Sequence, residues 1–578
     1  MYKPLRFVLM KNLWLFFLVS LSYAVHSQKV LPENLSPKVK VFWDANNKRI
    51  HSTGCYYLDE INPKTTEKHG KWTFYALDGS IEEERFFYRN RMHGKQTTYF
   101  PNKQIKQQYF AQFNVPDSTF KEYNEKGTLL IQGNYQLGSP EGLWNYYYSD
   151  ASRWKTELVR NDTTYLLDYF ENDSLHTQTV VSGKGQVNTY YTYGGLKESY
   201  TFNNGLRDGP FIELLASGIP SIEGAFLGGK KQGKWLFYFP NGNIEKQQSF
   251  IQDSLDGPYQ VYFENGVLQT EGTYQLGKKE GNWIWRRFDG GEDMKGMFKS
   301  NLQHGVWTYY YSSGELSYTA SFDNGLKSGE WNYYYKDGTP FKKGKYESDL
   351  KQGLWQTWYE DGTILLQGAY DRGKEQGEWK NFWPNGRVKN TSFYKEGKLH
   401  GAWYSFSPEG KLLLFGRYKQ GNKTGKWTEF YNNGRRKEEV TYKVKTLKNA
   451  SQDVVALGFK EKQSVEHGVY KAYSQLDFAI KESGKYHLGK KVGKWINFYP
   501  GGVVPAVVST FKNGLLHGEF YQNDRRGNKM NEIHYKDGLK DGLFIVYDSN
   551  GKPITQKMFR KGHELQRVSN GNPFSPEK

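Results

Sequence analysis

"GEWNYYYKDG" at residues 329–338 is answered, twenty-four residues after its first glycine, by "GLWQTWYEDG" at 353–362. Glycines in the same phase stand at Gly209, Gly233, Gly257, Gly281, Gly305, Gly329, Gly353, Gly377, Gly401 and Gly425, so the period is fixed across this span. The phase runs upstream through Gly70, Gly94 and Gly142, with Ser118 in place of one glycine, and Gly185 leads into Gly209. Downstream units open at Gly468, Gly493, Gly518 and Gly542. With the opening glycine numbered zero, position 2 is usually tryptophan: Trp72, Trp144, Trp235, Trp283, Trp307, Trp331, Trp355, Trp379, Trp403, Trp427 and Trp495. Position 5 is aromatic, position 9 is a glycine after Asn or Asp, position 15 is small and position 17 is aromatic again.

Asn-Gly or Asp-Gly between two short aromatic runs is a strong hairpin signal, because a two-residue turn of this kind needs positive φ at both central residues. The spacing therefore predicts, in each unit, a strand, a tight turn at positions 8 and 9, a second strand, and a looser glycine-bounded turn into the next unit. With that turn, position 2 lies across from position 15 and position 6 across from position 11. Position 15 is Gly224, Gly272, Gly296, Ala320, Gly344, Gly368, Ser392 and Gly416 in successive units that carry a small residue. A ring laid over backbone without bulk covers a strand that glycine would weaken. The ladder Trp235, Trp283, Trp307, Trp331, Trp355, Trp379, Trp403 and Trp427 is thus a structural frame. The fold class is all-β, an elongated antiparallel meander of stacked β-hairpins. Such arrays are held mainly between neighbouring units and need atypical ends.

The organisation follows from the phase. Residues 1–27 are a signal peptide: Lys3, Arg6 and Lys11 precede an apolar stretch, and Val25 and Ser27 stand in the small-residue positions before the cut. Residues 28–69 are an N-terminal cap region, 70–151 regular units, 152–184 a degenerate unit, 185–443 regular units, 444–467 an insertion, 468–562 regular units and 563–578 a C-terminal tail. The expected location is outside the cytoplasm: periplasmic, cell-surface or secreted.

Composition fits thin layers with little interior. Aromatics are 17% of residues against 37% for all hydrophobics, and tyrosine, prominent among them, tolerates a wet edge. The formal charge is +18, falling to +15 without the three basic residues of the leader. The lysines read as scattered over turns. Cys55, the sole cysteine, has no partner for an internal disulfide.

The series Tyr394, Gly397, Gly401, Trp403 resembles MORN repeats, and the tyrosine-rich strands are similar to the MORN-repeat-variant group, often labelled antitoxin-like. The resemblance covers about residues 70–562. It implies an elongated sheet of stacked hairpins serving as a docking scaffold for proteins or membranes. An exported chain of this size is a poor candidate to neutralise a cytoplasmic toxin.

No catalytic or metal constellation emerges, and no cofactor is called for. His69, His93, His304, His400, His467 and His517 each precede an opening glycine and read as turn residues. Asp337 and Asp361 are explained by turn chemistry. "GGK" at 228–230 and "GKG" at 183–185 have no helix after them, so phosphate-loop readings fail. A one-layer ribbon leaves its aromatic face without a covering sheet, and such exposed apolar surface marks binding. The candidate binding rings are Tyr309, Tyr311, Tyr333, Tyr335, Tyr359 and Trp383. The expected function is a non-enzymatic exported scaffold for protein partners. The alternatives are an envelope glycan or anionic lipid bound by rings and lysines, and a hydrolase seated in 152–184 or 444–467. Nucleic acid is disfavoured by export, and no second membrane span appears.

Overall fold

The computed structural model describes residues 34–58, 66–446 and 462–565. The signal peptide, the first residues of the cap, most of the 444–467 insertion and the end of the tail lie outside them. The described residues form strands and turns without a helix, from β1 (Val39–Phe42) to β44 (His563–Leu565). They belong to two compact units that divide between Lys231 and Gln232. Within each unit the recorded pairings are antiparallel and, apart from one that passes over the two-residue strand Leu539–Lys540, between strands adjacent in the chain, the all-β hairpin meander expected from the period.

The register places position 2 across from position 15 of its own unit, as in Trp283↔Gly296, Trp331↔Gly344 and Trp355↔Gly368. The turn that sets this register is not the two-residue one. The amide of Gly338 donates to the Tyr335 carbonyl and that of Tyr335 to the Thr339 carbonyl, so positions 7, 8 and 9 form a three-residue loop. Only the glycine of that loop has positive φ, +86° at Gly338. A one-residue shift beside the loop, between Tyr333 and Tyr334, restores the register. Position 11 consequently faces position 5, not position 6, as in Tyr310↔Leu316 and Trp358↔Ile364.

The tight turn is the other one, between units. Asp323 pairs with Leu326, and the two residues between them, Asn324 and Gly325, have φ of +48° and +85°. The same turn holds Arg372 at +46° and Glu396 at +52°, side chains that bear a steric cost there. Asn-Gly and Asp-Gly pairs fit either turn, because aspartate also suits the three-residue loop, where its carboxylate accepts the amide two residues on: Asp337 from Thr339 and Asp361 from Thr363, both at 2.8 Å.

The opening glycine has a separate task. Between β20 (Leu268–Gln275) and β21 (Lys278–Arg286), Glu271 pairs with Ile284 but Thr273 with Glu280. Two residues of β21, Gly281 and Asn282, are therefore extra, and Gly281 takes φ +67°, the conformation a bulge demands of glycine. The bulge throws the Trp283 ring back over the preceding strand. A Cβ built on Gly272 would stand 2.1 Å from Trp283 Cδ2. The same contact recurs as Trp307 on Gly296, Trp355 on Gly344, Trp379 on Gly368, Trp427 on Gly416 and Trp495 on Gly484 in the second unit, and as Trp72 on Gly54 and Trp144 on Gly133 in the first. The small residue under each ring is thus that of the preceding hairpin, not the one expected within the same hairpin.

The chain's own variation supports this partner. Position 2 loses its tryptophan where the preceding position 15 is large: Gln96 faces Arg85, Phe120 faces Tyr109, Phe211 faces Tyr200, Tyr259 faces Gln248 and Tyr470 faces Val440. Within one hairpin no such rule holds, since Trp72 faces Arg85 and Trp235 faces Gln248. Trp331 lies against Ala320, which is fully buried, while Trp403, over Ser392, remains half-buried.

Two stretches depart from the rule. β2 (Ile50–Tyr57), inside the cap region, carries Gly54 and so supplies a regular second strand. Against the degenerate unit, Val187 holds position 2 of the unit opening at Gly185, and an aliphatic cluster of Leu166, Val180 and Val187 replaces the indole. There the Leu166 amide donates to the Gly205 carbonyl at 2.8 Å, and the Gly205 amide to the Gly183 carbonyl at 2.9 Å, drawing two turns onto one strand.

The two turns respond oppositely to substitution. Arg372→Asn relieves a strained left-handed residue and is expected to stabilise its turn by about 0.5–1 kcal/mol. Gly362→Ala, at φ +81°, is expected to destabilise its loop by about 1–2 kcal/mol. Amide hydrogen exchange of the flanking strands reads both, and equal responses would contradict the turn assignment.

Candidate binding surfaces of the array

The aromatic face covers itself. Trp283 is 1% exposed and Trp307 2%, although no second sheet packs on them. Up to three neighbours enclose a ring; Trp307 and Trp379 have Gln303 and Glu375 at the position of the third. Beneath lies the bare strand just described. Against the edge stands the position-17 ring of the preceding unit, as in Phe298–Trp307 at 5.0 Å and 89°, Tyr346–Trp355 at 5.2 Å and 87°, and Tyr370–Trp379 at 5.0 Å and 90°. Above sits a lysine from position −2: Lys279 over Trp283 at 4.4 Å, Lys327 over Trp331 at 4.9 Å, Lys351 over Trp355 at 4.7 Å, Lys423 over Trp427 at 4.4 Å and Lys491 over Trp495 at 3.8 Å. Burial pulls the Lys279 ammonium below its ordinary value.

The expectation of an open apolar face at the ladder is therefore overturned, and a subset of the lysines is periodic. The signal was in the sequence as a lysine two places before the opening glycine, in "KKEGNW", "LKSGEW", "LKQGLW" and "KKVGKW".

The bulge also frees a backbone carbonyl that the indole then uses. Trp307 Nε1 donates to the Met297 carbonyl at 3.2 Å, Trp331 to Ser321 at 3.1 Å, Trp355 to Lys345 at 3.2 Å, Trp379 to Ala369 at 3.2 Å and Trp495 to Lys485 at 3.1 Å. Gln96, which replaces a tryptophan, sends its amide to the equivalent Phe86 carbonyl at 3.0 Å and is 2% exposed. A polar side chain at position 2 thus keeps the hydrogen bond where Arg85 leaves no room for a ring.

The six candidate binding rings are all half-buried. Tyr309 and Tyr333 stack on the two sides of Tyr318, at 4.1 Å and 5.4 Å, within the cluster around Trp307 and Trp331. The other four tie each hairpin to the next. Tyr311 donates its hydroxyl to the Tyr334 carbonyl at 2.6 Å, Tyr335 to Trp358 at 2.8 Å and Tyr359 to Phe382 at 3.0 Å, and Trp383 Nε1 donates to Phe406 at 3.1 Å. Tyr431 makes the same bond across the insertion, to Tyr473 at 2.9 Å.

Position −1, where the histidines stand, holds the tight turn. Gln352 accepts the Arg372 amide at 2.9 Å and Asp256 the Leu276 amide at 2.9 Å, and His517 Nδ1 accepts the Asp537 amide at 3.3 Å. His304 lies 3.3 Å from Asp323. Among the described residues no group of three or more His, Cys, Asp or Glu side chains could hold a metal ion.

Exposed apolar residues gather at the tight-turn edge. Leu302, Leu326 and Leu350 each follow a tight turn, are 48%, 47% and 47% exposed, and recur in consecutive units. Adjacent hairpins lie two strands apart, which spaces these leucines by about 10 Å. The missed signal was leucine directly after the turn glycine or aspartate, as in "NGLK" and "SDLK".

The MORN repeat variant model matches residues 92–111, 231–252, 255–276, 303–324, 375–396 and 423–443. Each match opens two places before an opening glycine, on a lysine at Lys231 and Lys423. These six segments are similar to MORN repeat variants. No curated protein matches it. Among solved structures, it is similar to a chain of the TcdB2-TccC3-Cdc42 crystal structure at 10% identity and TM-score 0.13, covering 91% of this chain and 31% of that one. A chain of the Photorhabdus luminescens Tc holotoxin pore matches at 11% identity and TM-score 0.12, covering 93% and 34%. CbpF in complex with ipratropium matches at 15% identity and TM-score 0.12, covering 54% and 96%. The chain spans about a third of the length of the toxin chains. Among the described residues no helix is long and apolar enough to cross a membrane.

The Tyr309–Tyr318 stack gives a pH test. Burial first, then the Tyr309 ring and its hydrogen bond, push the Tyr318 hydroxyl up to about 12. A raised folded value means that the neutral form stabilises the fold below the unfolded value of about 10. That contribution should be lost as pH rises from about 10 through 12. Ultraviolet titration of tyrosinate should show late ionisation whose amplitude Tyr318→Phe reduces by one tyrosine. Ionisation of that tyrosine near the unfolded value would contradict the stack.

Proposed function

We propose that the chain is an exported, non-enzymatic repeat scaffold that binds protein partners in the cell envelope. Export rests on the leader-like first 27 residues. The observation that carries the binding surface is the leucine row at the tight-turn edge. The rings and lysines that looked available are engaged in holding units together, whereas Leu302, Leu326 and Leu350 stay about half exposed and repeat at a fixed spacing. Aligned apolar side chains on a rigid edge suit a partner with its own apolar row, and apolar anchors carry much of the energy of such contacts. The non-enzymatic reading is supported by the turn roles of His517, Asp337 and Asp361.

The second reading, an envelope glycan or anionic lipid, draws on the periodic lysines. It is weakened because their ammonium groups lie over rings within the array. Pull-down on isolated envelope fractions separates the two, since lipid binding should collapse with salt while apolar docking should not.

The decisive variant replaces Leu302, Leu326 and Leu350 together by glutamate. In-envelope crosslinking should lose specific partners captured by the wild-type chain, at an unchanged thermal midpoint. Retention of the same partners at the same yield would exclude this edge as the docking surface.

A further inference from the structure

The degenerate unit differs from its neighbours in strand length. β12 (Gln178–Val181) has four residues, and β11 (Thr163–Phe170) meets it only at Tyr169↔Val180 and Phe170↔Gln178. A loop over 171–177 replaces the three-residue turn. The missing strand length leaves a cavity of about 540 Å³ lined by Tyr148, Trp154, Tyr169, Tyr190 and Tyr191 together with Glu171 and Asp173. The remaining lining residues, Asn172, Asn188, Thr189 and Thr192, are uncharged.

The walls are held in place. Tyr148 donates its hydroxyl to the Phe170 carbonyl at 2.8 Å, and Tyr191 donates to Leu214 at 2.8 Å. Tyr148 and Trp154 lie 6.0 Å apart at 36°. Asp173 is fixed as an anion at the mouth, accepting the Leu175 and Thr177 amides and the Thr177 hydroxyl at 3.2, 2.9 and 2.7 Å. Those bonds, led by the Thr177 hydroxyl, hold its carboxyl below the ordinary value. The Tyr148 hydroxyl is pushed up, first by burial and then by Tyr169, Glu171, Asp173 and Asp150, so several negative charges face it.

The charged groups around the rim are already matched. His176 stacks on Tyr148 at 5.9 Å and contacts Asp150 and Ser152, each at 3.3 Å. Lys155 lies over Tyr146 at 4.4 Å and Trp154 at 5.1 Å, paired with Glu157 at 2.5 Å. Trp154 therefore already accepts a cation near its ring.

We propose that this cavity binds a small organic cation of the quaternary-ammonium type. Ring faces attract a diffuse cation that is weakly hydrated, and the carboxylates of Glu171 and Asp173 supply the balancing charge. An anion would meet those carboxylates, and a hard metal ion would find rings where it needs oxygen ligands. This site is independent of the leucine edge and of the scaffold reading.

Tetramethylammonium chloride, titrated into the full chain and followed by proton NMR, should show its methyl resonance shifted upfield by the rings. Glu171→Gln and Tyr190→Leu should each weaken binding roughly tenfold. Tyr190 is 51% exposed, so its replacement leaves the fold intact, which a thermal midpoint checks. Flotation with phosphatidylcholine vesicles identifies the source: capture that tetramethylammonium reverses assigns a lipid headgroup, and binding of the free ion without capture assigns a soluble cation. Binding no tighter than that of sodium at equal ionic strength would overturn the proposal. So would wild-type affinity in both variants.

Discussion

An indole ring lying flat on backbone without a side chain is the contact on which this array depends. A single sheet has no opposite layer to dry its apolar face, and burying a large ring in one layer requires that its own neighbours enclose it. Glycine beneath, a ring at the edge and a lysine stem above achieve this with residues of one short motif. Full burial of each ring contributes about 2–3 kcal/mol. The glycine it needs would by itself weaken the strand by about 0.5–1 kcal/mol, so the pair is favourable only together. The bulge at the opening glycine joins the two, because it aims the ring and frees the carbonyl that takes the indole N–H.

Because the ring reaches back to the preceding hairpin, each repeat is completed by its neighbour. The tyrosine hydroxyls reach forward, from Tyr335 to Trp358 and from Tyr359 to Phe382. A hairpin that carries both is thus held from both sides by contacts roughly one period long, and the coupling is between nearest neighbours as in other one-dimensional arrays. Such an array tolerates a worn unit. Where Val187 replaces the indole, a small aliphatic cluster and converging turns take over locally, and the irregularity leaves an aromatic cavity with acids at its mouth.

The period, the strands and the pairing of position 2 with position 15 were legible, because glycine phase and aromatic spacing are properties of the chain alone. The assignment of the turns was not. Asp337-Gly338 satisfies a two-residue turn and a three-residue loop equally well in sequence, and only φ at Asp337 distinguishes them. The direction of the rings was legible in principle. Gln96 after Arg85 and Phe120 after Tyr109 show that the residue under the ring belongs to the hairpin before. The binding rings were misjudged for a physical reason: a tyrosine half in contact with its neighbours and a tyrosine awaiting a partner carry the same letter. Leucine at the turn edge drew no notice because isolated surface leucines are ordinary, and only their alignment across units gives them meaning.

The most direct test is a pair of double-mutant cycles on Trp355, one with Gly344 of the preceding hairpin and one with Gly368 of its own, each glycine changed to alanine and Trp355 to leucine. Local stability from hydrogen exchange should show a coupling of about 1–3 kcal/mol between Trp355 and Gly344. The cycle with Gly368 should couple by only a few tenths of that, since Trp379 covers that glycine. Equal coupling in the two cycles, or stronger coupling to Gly368, would contradict the account.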